Sequence, residues 1–191
     1  MIVHEKFAWV HVPKCGGRSI RAALLHYPGV VRMHMGHEAY FGHLPVIACV
    51  RDPWDYYLSL YSHLRSEPVL GARLGNSLGE AVVSFVQRNA SLTVQLKLLA
   101  GWTGNHNVHV LRLEDGLEQG INALLKSWQL PPLELPHFGR SSAPPADALY
   151  TPELVCMIRE AEAEVIEAFG YRLSPRDEQR QNPLYGRPAC C

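Results

Sequence analysis

FAWVHVPKCGGRSI, residues Phe7 to Ile20, is the stretch that decides the fold. The apolar run Phe7 to Val12 stops at Pro13. A turn follows, Lys14-Cys15-Gly16-Gly17-Arg18-Ser19, and Ile20 to Leu25 reads as helix. Strand, glycine-bearing turn and helix start are the parts of a phosphate cradle. Glycines let the backbone fold tightly around an anion. The helix start aims unpaired N–H groups and a partial positive charge at it, and Lys14 and Arg18 add full charges. An ordinary strand-to-helix turn is the plainer reading of the same residues. The pattern is not the nucleoside-triphosphate loop G-x-x-x-x-G-K-[ST], whose lysine follows the last glycine. Here Lys14 precedes both glycines, and the fingerprint G-x-G-x-x-G is also absent.

Outward from this stretch, apolar runs alternate with helical periodicity. Met1 to Lys6 leads in, and Phe7 to Val12 is apolar enough to be buried on both faces, as in a parallel sheet. Ser19 to Tyr27 is the following helix, closed by Pro28-Gly29. Val30 to Leu44 reads as irregular. Val46 to Val50 is a second buried strand ending at Arg51-Asp52-Pro53. Asp52 is an N-cap with proline at the first helical position, and the helix runs to about Arg65. On it Trp54, Tyr57, Leu58, Tyr61 and Leu64 share one face, and Asp55, Ser59, Ser62 and Ser66 the polar side. Glu67 to Asn76 is a loop. Leu78 to Arg88 and Leu92 to Ala100 read as helices, Val108 to Leu113 as a third strand, and Gly116 to Trp128 as an amphipathic helix. Thr151-Pro152-Glu153 opens a last helix, with Gly170 as its C-terminal stop. Strands alternating with helices predict an α/β fold with a short central parallel sheet flanked by helices. No repeat or interdomain linker interrupts it, so a single domain over residues 1–175 is expected. Residues 176–191, polar and proline-bearing, read as a flexible tail.

The chain has 191 residues, 47% of them hydrophobic and 9% aromatic, enough for one domain with a sizeable core. No apolar run approaches a membrane span, and no basic-then-apolar leader is present, so a cytoplasmic protein is expected. The formal net charge is zero, but it is unevenly spread. Residues 1–51 hold six basic side chains against two acidic ones, a local charge of +4. A basic first quarter suits a small polyanion and is too modest for nucleic acid. Five cysteines occur without a C-x-x-C pair, which argues against a zinc ribbon or redox motif. Cys49 reads as core. Cys190-Cys191 belongs to the tail, with lipidation as the other reading. The histidines His34, His37 and His43 lack a fourth ligand and a helical i, i+4 pair, so no metal site is expected.

RDPWDYYLSLY, Arg51 to Tyr61, is the second informative stretch. A guanidinium at a strand end sits where α/β sheets bind ligands. Arginine takes phosphate through a planar fork, and Ser59 adds a hydroxyl from the next helix. A capped helix with a solvent-facing serine is the plainer alternative.

Both stretches resemble those of sulfotransferases. His11, Pro13, Lys14, Gly16, Gly17 and Ser19 match the 5′-phosphosulfate loop H-x-P-K-T-G-G-T-S, while Cys15 and Arg18 stand where threonine is common. Arg51 to Ser59 has the spacing of the family's 3′-phosphate element, R-D-P with a serine eight residues after the arginine. Tyr56 departs, since many relatives carry a basic residue there. VLRLEDGL, Val110 to Leu117, resembles the family's R-x-E-D-L segment, and Pro136 to Tyr171 its closing segment. The resemblance covers roughly Phe7 to Arg172. It is nearest to the type that includes heparan sulfate 2-O-sulfotransferases and small bacterial proteins.

The resemblance implies a P-loop-like three-layer fold and a sulfotransferase. The co-substrate would be 3′-phosphoadenosine 5′-phosphosulfate, leaving adenosine 3′,5′-bisphosphate as product. By position, Lys14, Cys15, Gly16, Gly17, Arg18 and Ser19 would hold the 5′-phosphosulfate, and Arg51 and Ser59 the 3′-phosphate. Arg140 and Ser141 would close over the nucleotide. Lys14 and His37 would be catalytic, His37 lying in a G-H-x-x-Y stretch like that carrying the family's base; His34 and Glu38 are the alternatives. The acceptor would be a hydroxyl or amine on a small molecule, saccharide or peptide. A nucleotide-binding protein that has lost transfer is the second reading, fed by Arg18 and Tyr56. A nucleoside kinase is disfavoured by the lysine's place before the glycines.

Overall fold

The computed structural model describes residues 1–33, 44–66, 77–102, 107–136 and 149–175. Among these, the elements in chain order are β1 (Ile2–His4), β2 (Ala8–Trp9), α1 (Gly17–Leu24), β3 (Val30–Met33), β4 (Val46–Val50) and α2 (Pro53–Arg65). Then come α3 (Leu78–Gln87), α4 (Leu92–Ala100), β5 (Val108–Arg112) with a 3-10 turn at Leu113–Asp115, α5 (Leu117–Ser127), α6 (Pro152–Ala161) and α7 (Ala163–Phe169). The chain divides into two compact units, each built from two separate stretches: residues 1–51 with 94–140, and residues 52–93 with 141–191.

The first unit holds the sheet, in the order β3-β1-β2-β4-β5. β2 pairs parallel with β4 and β4 parallel with β5, whereas β1 runs antiparallel to both β2 and β3. The α/β class and the parallel centre are as the sequence predicts. The sheet as a whole is mixed, because residues read as a lead-in and as irregular chain form β1 and β3. Both strands are too short to show period-2 alternation, and tertiary pairing alone makes them strands. Conversely, the run Phe7 to Val12 is buried except at His11, yet only Ala8–Trp9 count as strand. The ladder continues through Val10, whose N–H donates to Ile47 O at 2.9 Å. β4 falls where the sequence puts it and is buried at all five residues. Burial pushes the Cys49 thiol up to about 12, so Cys49 is inert core.

β1 is tied down from one side by His4. Its Nε2 lies 2.9 Å from Pro28 O, its Nδ1 accepts from Lys6 N–H at 3.0 Å, and its ring stacks on Phe7 at 4.6 Å between centroids. Phe7 stacks in turn on Trp128. Gly29 has φ +83, and a Cβ there would strike the His4 ring, so the turn that starts β3 requires glycine.

The second unit is helical in its described residues. Asp52 caps α2, accepting from Trp54 N–H at 2.9 Å and Asp55 N–H at 3.4 Å. Arg172 Nε donates to the other oxygen of Asp52 at 2.9 Å. Trp54 Nε1 donates to Arg172 O at 3.0 Å, and Tyr150 OH to Trp54 O at 2.5 Å. The last helix breaks at Glu162 into α6 and α7, and Gly170 ends α7 in the left-handed conformation.

Candidate anion-binding site

Two turns leave the same edge of the sheet. β2 and β4 are parallel neighbours, so the turn after β2 and Arg51 after β4 both stand at the carboxyl ends of adjacent strands, where open α/β sheets bind ligands. In the first turn Lys14 has φ 62 and Gly16 has φ 80, two left-handed residues separated by Cys15. Such alternation curls a backbone into a concavity lined by N–H groups, the nest geometry that holds anions. Cys15 N–H reaches back to Val12 O at 3.4 Å and Ser19 N–H to Gly16 O at 3.2 Å. Among the described residues, no acceptor takes the backbone N–H groups of Gly16 and Gly17. Gly16 is the N-cap of α1 without a side-chain cap, and so those donors meet whatever lies at the helix start.

The turn is backed by the segment after β5. A Cβ at Gly16 would run into Leu117 and come within 3.1 Å of Leu113 Cδ1. A Cβ at Gly17 would overlap the His11 ring. Gly16 is therefore required twice, by conformation and by close approach, and Gly17 once, by close approach. Leu113 and Leu117 lie in VLRLEDGL, and their part as a supporting wall is not legible there, because apolar residues at a turn carry no periodic signal.

Lys14 is half-buried. Burial lowers its pKa, and the positive charges of Arg51 and then Arg18 push it further the same way. Arg51, from the second turn, and Arg18 thus each act on the charge of Lys14. No ion pair to Lys14 or Arg51 occurs among the described residues. Cations without an ion pair, as Lys14 and Arg51 are among the described residues, favour an anion beside them.

The other expected residues are placed as follows. The Cys15 side chain is fully buried, so only its backbone is left to face a ligand. Arg18 is exposed and Ser19 half-buried on the first turn of α1. Ser59 lies in α2 of the second unit and is 4% exposed, as is most of that helix: Tyr56, Tyr57 and Leu60 are buried with it. Of the polar side expected on α2, Asp55 and Ser62 are half-buried and Ser66 is exposed, whereas Ser59 is covered. Tyr56, the departure from the family pattern, is 0% exposed. His34, His37, Glu38, Arg140, Ser141 and the tail 176–191 lie outside the described residues. His11 was matched in sequence without a role, yet it touches the cradle directly.

The strand, glycine turn and helix start at the carboxyl edge of a parallel sheet centre belong to an α/β fold. No protein-family model matches the chain, and no curated protein sequence matches it. Among solved structures it is similar to a sulfotransferase from Alicyclobacillus acidocaldarius, at 15% sequence identity and a TM-score of 0.40. The match covers 68% of this chain and 56% of that one, so the chain spans little more than half the length of that structure. At this identity and score the likeness assigns no activity.

Proposed function

We propose that the chain is a sulfotransferase that moves a sulfuryl group from 3′-phosphoadenosine 5′-phosphosulfate to a hydroxyl or amine of a small molecule, saccharide or peptide. The observation that supports this most is the gathering of Lys14, Arg18 and Arg51 at one sheet edge around open backbone donors. The two sequence elements resembling the family's phosphate loops supply these residues. The donor, when bound, supplies the activated sulfuryl group. The residues of the turn fit its 5′ end: Gly16 and Gly17 offer backbone N–H groups, and Lys14 and Arg18 offer charge. Arg51 fits a phosphate through its fork. For Ser59, Arg140 and Ser141 the proposal rests on the resemblance alone.

In this reading Lys14 neutralises charge that builds on the oxygen leaving with the nucleotide. Positioning and charge stabilisation dominate, as in phosphoryl transfer. His37 takes the acceptor's proton, the role a histidine fills at neutral pH.

Calorimetry with adenosine 3′,5′-bisphosphate tests the site. Lys14→Ala and Arg51→Ala should each weaken binding by roughly tenfold or more, and an unchanged Kd in both sinks the assignment. A transfer assay over an acceptor panel then separates an enzyme from a protein that only binds the nucleotide. His37→Ala should abolish transfer and leave bisphosphate binding intact; near-normal turnover rejects His37 as the base.

A further inference from the structure

We propose that His11 is a positioning residue of the anion cradle: its imidazole, lying over the Cα of Gly17, holds the Gly16–Gly17 peptide in place and takes up a proton when a dianion is seated. The inference rests on the anion-binding reading above and adds a residue to it.

His11 shares a face of its strand with Trp9, two residues earlier, and the two rings stack at 5.6 Å with 21° between their planes. The imidazole also meets Gly17 so closely that a Cβ at 17 would overlap Cδ2 and Nε2 and stand 3.0 Å from Cγ. The ring thus packs against both an indole and the backbone that carries an open N–H of the cradle, while the residue keeps an exposed side. Packing at this closeness transmits any shift of the ring to the Gly16–Gly17 peptide.

The charges facing the ring share one sign. Burial lowers its pKa first, and then the chain's α-amino group, Arg21 on α1 and Lys14 in the turn lower it further. Trp9, beside it, is uncharged, and the charges that act on the ring include no carboxylate. With the cradle empty the ring is therefore biased toward its neutral form. A dianion beside Lys14 and the start of α1 cancels part of that field. The proton affinity of His11 then rises, and an imidazolium adds charge to the grip.

The test compares wild type with His11→Phe and His11→Ala. Phenylalanine keeps a flat ring over Gly17 and cannot titrate, whereas alanine removes both properties. Binding of adenosine 3′,5′-bisphosphate is followed by calorimetry at about pH 6.5, in two buffers of unlike ionisation enthalpy, with thermal unfolding to confirm that each variant is folded. Wild type should take up more protons on binding than His11→Phe, by a measurable fraction of one. The ligand's own phosphates change protonation in both proteins, so the difference belongs to His11. At about pH 8, where the ring is neutral in every state, His11→Phe should bind like wild type and His11→Ala roughly tenfold more weakly. Equal proton uptake in wild type and His11→Phe overturns the inference, and so does an unchanged Kd in His11→Ala. If alanine unfolds the chain, the His11→Phe comparison alone decides it. A folded wild type that binds no bisphosphate overturns the functional reading itself, and this inference with it.

Discussion

Glu162 is 0% exposed, yet its carboxylate is fully engaged. Its carboxylate accepts from Leu92 N–H at 2.7 Å, Thr93 N–H at 2.7 Å, the Thr93 hydroxyl at 2.6 Å and the Tyr57 hydroxyl at 2.6 Å. Burial pushes its pKa up, and the donors of Thr93, Tyr57 and Leu92 oppose that. Replacing it with alanine strands buried donors, which should cost about 3 kcal/mol or more; urea unfolding measures it, and a loss under about 1 kcal/mol contradicts the network's role. His4 gives a pH dependence. Burial lowers its pKa below the ordinary 6.5, and its Nδ1 must stay unprotonated to accept from Lys6 N–H. Below about pH 6.5 the unfolded chain takes a proton that the folded chain resists. Stability should therefore be full above that pH and fall below it, and His4→Ala should flatten the fall in a series of thermal melts. At Gly16, φ 80 and the contact with Leu117 make alanine costly by about 1–2 kcal/mol. Gly16→Ala should also weaken bisphosphate binding, since the cradle must deform to admit the methyl.

Elements follow local signals where those signals are chemical and depart from them where pairing decides. α2 starts where Asp-Pro says it should, and the cap is reinforced by Arg172, whose Nε lies 2.9 Å from Asp52. Burial raises the Asp52 pKa, and Arg172 counters it. Asp52→Ala removes the cap and leaves Arg172, 18% exposed, short of its partner. A cost of about 2 kcal/mol is expected, read as a lower denaturant midpoint; Arg172→Ala should lose less, because the cap survives. β4 was legible as five apolar residues between turn signals. β1 and β3 were not, because a strand of three or four residues exists only through its neighbours. The break at Glu162 was also hidden: Thr151 to Gly170 reads as one amphipathic helix, and only the pull of α4's first N–H groups on that carboxylate marks the kink.

At the scale of the whole chain, the cradle belongs to the unit that contains the sheet, and ligand binding should be visible as stabilisation. At a hundredfold excess over Kd, adenosine 3′,5′-bisphosphate should add about 2.7 kcal/mol to the free energy of unfolding. The apparent Tm should rise with ligand concentration in wild type and not in Lys14→Ala. The sequence by itself determined the α/β class, the strand-turn-helix with its paired glycines, β4 with its following capped helix, and Lys14, Arg18 and Arg51 as the cations of interest. Those features are local: they follow from turn chemistry, caps and apolar runs, which a chain carries wherever it is folded. Only the tertiary structure decided that Lys14, Arg18 and Arg51 meet, that Leu113 and Leu117 wall the turn, that Ser59 is buried, and that His11 lies on Gly17. Each of these is a contact between distant stretches, a closure set by the turn's own conformation, or a burial that the residue type does not signal. No local pattern encodes such a contact, because it depends on which strands become neighbours.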